Sequence, residues 1–270
     1  MTTPRVTAQY ATGVSQQNIE RALLDAGKDL DHLTSADLGP LEDFHTMGRY
    51  ATSQLVDLAG LTGDDKVLDA GTGIGGTARL VADRFQCHVT AVDLTEEFCE
   101  TARWLNHLVG LGDTISVRQA DVTELPFGDA TFDVVFSQHV QMNVADKPAL
   151  YREARRVLVD RGVLAVWDIA AGDSGPPDYP MPWADRPAVS HLATPDQLLA
   201  AMTSAGFAVE IWNDQTDEAA ELMRTMLTLP PHPLGLHAFV TDFEQKATNL
   251  TRALSDGRLR AIQGVARAVT

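Results

Sequence analysis

Three aspartates stand where apolar runs end. Asp69 follows Val67-Leu68, Asp93 closes Val89-Thr90-Ala91-Val92, and Asp121 closes Ile115-Ser116-Val117-Arg118-Gln119-Ala120. After Asp69 comes a glycine turn in which Gly71, Gly73 and Gly76 meet the G-x-G-x-x-G spacing of a nucleotide-binding loop. A dinucleotide brings two phosphates to such a loop, where helix-terminal N–H groups receive them. A carboxylate two residues before the first glycine opposes that charge. It suits a ligand that carries an ammonium and no phosphate at this point. Asp93 lies about 20 residues further on, where a Rossmann-type domain places the acid that binds ribose hydroxyls. One aspartate at a strand end is often only a cap or turn former. Three in order, each after an apolar run, point to a ligand.

The elements that must position these acids follow from the pattern. From Lys66 to about Ile169, apolar strands alternate with amphipathic helices, as in the βαβ units of a parallel sheet. Residues 132–136 and 163–167 read as the fourth and fifth strands, 207–212 as a sixth, and 259–269 as holding the last. Helices are expected over 76–85, from Thr95 towards Val109, over 146–157, from the Thr194-Pro195 start to Gly206, and over most of 216–255. Cys87 is expected in the second strand and Cys99 in the helix after it. Residues 1–64 read as a helical cap belonging to the same domain as the core, 65–270. Within the cap, Ser15 is a candidate helix cap, and 38–61 reads as one helical region. Residues from about 170 to 193 break the pattern with clustered Pro and Gly. Loops of this length in compact domains are usually functional or disordered, and Asp178-Tyr179-Pro180-Met181-Pro182-Trp183 is too aromatic for a linker. It reads as a lid over the substrate.

Composition sets limits. The chain has 270 residues, 44% of them hydrophobic, enough for one large α/β domain. Lys and Arg number 21 against 37 Asp and Glu, a formal net charge of −16. Such a surface repels a phosphate backbone and an anionic membrane, so neither nucleic acid nor membrane insertion is expected. Cys87 and Cys99 have no C-x-x-C partner and no histidine cluster, so no metal site is expected. With no apolar core in Met1-Thr2-Thr3-Pro4-Arg5, the expected setting is the cytoplasm.

The segment Val67 to Gly76, with Asp93 and Asp121 behind it, resembles motif I and its successors in the class I S-adenosylmethionine-dependent methyltransferases. Their cofactor joins adenosine to a methionine tail through a sulfonium. A narrower resemblance runs through Leu41 to Gly48, Ser137 to Asn143 and Met181 to Ala184, which look like sarcosine/dimethylglycine N-methyltransferase sequences. The resemblance extends from about Gln9 onward. It departs at Val159-Asp160-Arg161-Gly162, where the superfamily usually has a Pro-Gly-Gly turn. It implies a Rossmann-like α/β fold with a seven-stranded, mostly parallel sheet of order 3-2-1-4-5-7-6. It also implies a set of residues around S-adenosylmethionine: Asp69, Gly71, Thr72, Gly73, Asp93, Leu94, Asp121, Val122 and Gln138. In it, Asp121 accepts from the adenine amino group and Val122 offers its amide.

Transfer from a sulfonium is an in-line displacement, so alignment and exclusion of water are the main tasks of the protein. Gln138 and His139, just after the fourth strand, are the candidate catalytic residues. His139 could act as base or position the acceptor, and a purely structural histidine is the competing reading. His45, Asp168 and His191 are further candidates for the acceptor side. Tyr10, Tyr179 and Trp183 are the aromatic residues expected there, where a cationic amine would gain roughly 0.5–2 kcal/mol from each well-placed ring. The implied acceptor is a small molecule, first of all a glycine derivative such as sarcosine or dimethylglycine. O- or C-methylation, a nicotinamide-dependent oxidoreductase and a non-catalytic nucleoside sensor stay open, as does a homodimer.

Overall fold

The computed structural model describes residues 10–42, 45–230, 232–238 and 240–269. Met1 to Arg5, Gln9, and Asp43 and Phe44 of the quoted Leu41 to Gly48 segment lie outside the described residues.

The strands are β1 (Val67–Ala70), β2 (Val89–Asp93), β3 (Ile115–Gln119), β4 (Phe132–Gln138), β5 (Leu158–Ala171), β6 (Phe207–Asp214) and β7 (Leu259–Ala268). They form one sheet of order β3-β2-β1-β4-β5-β7-β6. Neighbours pair in parallel from β3 through β5. Only β7 runs against both of its neighbours, β5 and β6. The register places Asp69 opposite Ala91 and Phe136, and Asp93 opposite Gln119, so the acidic tips lie along one edge.

Helices cover both faces of the sheet, as a sheet of continuous apolar runs requires. The alternation along β5 sorts its residues. Val163, Ala165, Trp167 and Ile169 pack with α3 (Gly48–Ala59), α4 (Gly76–Phe85), α8 (Thr216–Thr228) and α9 (Phe243–Ser255). Leu164, Val166 and Ala170 pack with α6 (Lys147–Val157) and α7 (Pro195–Ser204). Asp168 shares the second face by the period-2 rule. Thr194 caps α7 through the amide of Gln197, with Pro195 in the first turn, as the sequence predicts. Among the described residues no helix is long and apolar enough to cross a membrane.

The cap region differs from expectation. α1 (Ser15–Asp25) has Val14 at its cap, and Ser15 is its first residue. Its entry is tied down from outside, since Glu97 of α5 (Glu96–Leu108) accepts from the amides of Gly13 and Ser15. The single helical region expected over 38–61 is broken. α2 (Ser35–Leu38) ends at Gly39-Pro40, and Met47, at the cap of α3, and Gly48, its first residue, both take positive φ. Proline supplies no N–H to continue a helix, and a left-handed residue ends one. Ile19, Leu23, Leu38 and Leu41 pack on Ile74, Phe98 and Leu105, which seats the cap beside the glycine turn. A charged staple was not foreseen: Glu42 is buried and accepts from both Arg79 and Arg49, and Arg79 also donates to Asn106 (2.8 Å) and to the Ile74 carbonyl (2.6 Å).

Three smaller differences follow. Cys87 is buried just ahead of β2 instead of within it. Thr95 occupies the cap position of α5 without a side-chain cap bond. β5 runs on to Ala171, so the loop starts at Gly172. The amide of Ala171 donates to the carbonyl of Ala193 at 2.8 Å, so the two ends of this insert meet.

Candidate functional site

The strand tips build one side of a cleft. Asp69 is buried and accepts from the Thr72 hydroxyl at 2.6 Å. The amides of Gly71 and Thr72 both donate to the Val92 carbonyl, at 2.8 and 2.9 Å, which folds the glycine turn over β2. Gly71 has φ +87°, and a Cβ there would stand 2.3 Å from Val140 Cγ2. Only glycine allows this approach. Asp93 receives the amides of Gly73 (2.9 Å) and Thr95 (2.8 Å), one on each oxygen. Burial raises its carboxyl above the usual range, and these amides oppose that shift. Asp121 holds its own turn, accepting from the amide and hydroxyl of Thr123 on Oδ1. Gln138, at the end of β4, donates to the Thr77 hydroxyl at 2.6 Å, and its buried Oε1 has no hydrogen-bond partner.

The other side of the cleft is aromatic. Tyr10 accepts from Asn143 Nδ2 at 3.0 Å, and its ring centre lies 5.8 Å from that of Phe98. Burial pushes its phenol above the ordinary value, so it stays protonated. His139 takes φ +54° and donates its amide to the Trp167 carbonyl at 2.7 Å. Its Nε2 faces the amide of Thr46 at 3.4 Å. The rings of His45 and His139 lie 5.5 Å apart. His45 Nδ1 points at the Thr46 carbonyl (3.2 Å), so that nitrogen donates, and Nε2 then accepts from the Thr52 hydroxyl (2.9 Å). Burial lowers His45 to about 4 and His139 well below its ordinary value, with His45 lowering the latter further. Both imidazoles are neutral at physiological pH. Trp183 is buried and donates to the Ser190 hydroxyl at 2.9 Å, folding the insert onto itself.

Of the residues expected from sequence, Tyr10, His45, Asp69, Gly71, Thr72, Gly73, Asp93, Leu94, Asp121, Val122, Gln138, His139 and Trp183 line this one cleft. Asp168, Tyr179 and His191 do not. Asp168 points to the face of β5 covered by α6 and α7, near Lys147 and the amides of Val140 and Gln141, and its buried Oδ1 has no hydrogen-bond partner. Tyr179 packs against the core of the first sheet face. His191 lines a separate hollow between α6 and α7. Sequence reasoning passed over Thr77, Phe98, Thr123, Val140, Met142 and Asn143. Asn143 closes the quoted Ser137 to Asn143 run, and Thr77 sits one residue past the glycine turn. Those positions were the available signal.

The residues fit S-adenosylmethionine. Asp69 and the unpartnered Gln138 Oε1 supply acceptors that an ammonium needs, and a buried acceptor with no donor is costly to keep for structure alone. At Gly71 the glycine turn is pressed close by Val140 and leaves no room for a side chain.

Residues 68–166 match the family model for a methyltransferase domain. The chain is 30% identical over 199 residues to the sarcosine/dimethylglycine N-methyltransferase of Halorhodospira halochloris, covering 73% of this chain and 70% of that protein. It is 30% identical over 203 residues to phosphoethanolamine N-methyltransferase 3 of Arabidopsis thaliana, covering 74% of this chain but 40% of that one. The fold is shared with the geranyl diphosphate C-methyltransferase of Streptomyces coelicolor A3(2), solved with Mg2+, geranyl diphosphate and S-adenosyl-L-homocysteine, at a TM-score of 0.68 and 20% identity, covering 82% and 79% of the two chains. With three acidic strand tips gathered at one glycine turn and two independent sequence matches across them, the chain belongs to the class I S-adenosylmethionine-dependent methyltransferases and acts on a small molecule.

Proposed function

We propose that this enzyme methylates the nitrogen of a small amine, with glycine derivatives such as sarcosine or dimethylglycine the first acceptors to test. The observation that carries the choice of atom is the aromatic acceptor side of the cleft, where Tyr10 and Trp183 stand beside Asn143 and His139 and suit an amine that becomes a cation. His45 and His139 are neutral, hydrogen-bonded and poor bases, and Tyr10 keeps its proton. An alcohol needs a base during attack, whereas an amine that has released its proton to solvent before binding attacks with its own lone pair. The curated relatives named above support nitrogen as the acceptor atom.

Asp69 and Gln138 Oε1 would hold the ammonium of the methionine tail, Asp93 the ribose hydroxyls, and Asp121 with the Val122 amide the adenine. Thr72 holds Asp69 in place, Gly71 and Gly73 let the backbone approach, and Leu94 lies beside Asp93 on the wall. The cofactor, when bound, supplies a methyl group already activated on sulfur. The remaining work falls to Tyr10, Asn143, His139 and Trp183, which orient the acceptor and keep water out. Holding two reactants in line can contribute roughly 7–11 kcal/mol.

Incubation with labelled S-adenosylmethionine and either dimethylglycine or N,N-dimethylethanolamine tests the reading. Labelled quaternary ammonium product supports it. Label appearing only in phenol, alcohol or prenyl acceptors would overturn it.

A further inference from the structure

Lys147 is buried in the first turn of α6, the end of a helix where a positive charge is disfavoured. Its ammonium donates to three carbonyls, those of Gln141 (2.5 Å), Val144 and His191 (2.5 Å). Gln141 and Val144 belong to the turn that follows β4. This turn puts Val140, Met142, Asn143 and Val144 on the cleft wall. His191 belongs to the stretch that returns from the insert carrying Pro182 and Trp183. Its amide donates to the Met142 carbonyl at 2.8 Å. Asp168 of β5 lies near the amides of Val140 and Gln141 and the Lys147 ammonium. Gln141 Nε2 in turn donates to the Ile169 carbonyl at 2.5 Å.

We propose that Lys147 is a positioning residue that locks the cleft-lining turn 140–144 to the return of the insert, so that Asn143 and Trp183 are held as one acceptor wall. An ammonium has three donors, and here three carbonyls from two chain segments consume all of them. No other side chain of the described residues donates to both segments. The three bonds offset the wrong-end placement on α6 and tie the two segments together at one point. The titratable groups that face the ammonium are Asp168 on β5 and His191 after the insert, with Tyr151 of α6 facing Asp168. Burial lowers the Lys147 amine to about 8, and Asp168 opposes that shift.

Amide hydrogen exchange on the full chain tests this, with Lys147→Met, Lys147→Arg and the wild type. The reporters are the amides of Asn143, Val144 and His191, each in a backbone bond of the joined segments. In Lys147→Met all three should exchange at least about tenfold faster, while β1 and β4 amides keep their protection. Lys147→Arg should restore most of that protection, and calorimetry should give an S-adenosylhomocysteine affinity within about twofold of wild type in both variants. Faster exchange confined to one segment, or unchanged exchange in all three, would overturn the proposal. If Lys147→Met does not fold, the wild type decides between pH 7 and 9.5. Above pH 8 a neutral amine has two donors for three carbonyls, so protection of His191, corrected for intrinsic exchange, should fall together with that of Val144. Constant protection would overturn the proposal.

Discussion

Gly73 donates its amide to Asp93 at 2.9 Å, so the glycine turn and the tip of the second strand are one rigid unit. The acid that resembles a ribose ligand therefore also fixes the loop beneath the ligand. Asp93→Ala should weaken S-adenosylhomocysteine binding by more than the loss of one charged hydrogen bond, about 1.5–3 kcal/mol, because the turn loosens as well. Asp93→Asn can still accept from Gly73 and should lose less. Calorimetry on both variants checks the order.

At Gly71 a side chain has no space. Gly71→Ala meets both a φ of +87° and the Val140 methyl. The expected destabilisation is roughly 2–4 kcal/mol. Adding Val140→Ala should recover the steric part and leave the backbone part, read as a non-additive pair in urea denaturation.

Gln138 is predicted to matter for the ligand and little for the fold. Gln138→Leu removes an acceptor that has no donor in the structure together with the bond to the Thr77 hydroxyl, two changes of opposite sign, so stability should change by no more than about 1 kcal/mol. Binding of S-adenosylhomocysteine should weaken about tenfold, by roughly 1.4 kcal/mol. Paired melting curves with and without ligand separate the two effects.

The staple under the cap should be expensive to break. Glu42 accepts from Arg79 and Arg49, and burial lowers the Arg49 guanidinium to about 10, with Arg79 nearby adding to the shift. Glu42→Ala leaves two close guanidinium groups with less compensation and should destabilise the protein by roughly 3–5 kcal/mol. Chemical denaturation measures it directly.

Acid should act through the histidine pair. The folded values of His45 and His139 lie below those of an unfolded chain, His45 at about 4 against 6.5. Between these values the unfolded state binds more protons, so stability rises with pH across this window and is lost as pH falls through it. Melting temperature should drop between pH 6.5 and 4. His45→Asn should flatten that slope.

The acids at the strand tips were legible because a strand end, an apolar run and a glycine turn are all local patterns. Sheet order is not a local pattern and came from the resemblance alone. Lys147, Arg79 and Glu42 were not legible. A charged residue in an amphipathic helix or a loop looks solvent-facing from sequence, and only tertiary packing gives it buried partners. Asp168 and His191 were expected at the cleft because of their place in the chain. The period-2 alternation of a long β5 sends Asp168 to the far face, and the His191 ring lies in the hollow beside α6 and α7. The break at Gly39-Pro40 was visible in the residues, but the positive φ at Met47 was not, since methionine has no preference for it.

Ala171 and Ala193 meet through one backbone hydrogen bond, so the segment between them leaves the sheet and returns at the same place. Its closure cost depends only weakly on how much chain it contains. Met181, Trp183 and Ala184 are buried in the core, so a graft meant to retarget the enzyme must keep these three and vary the exposed residues on either side of them.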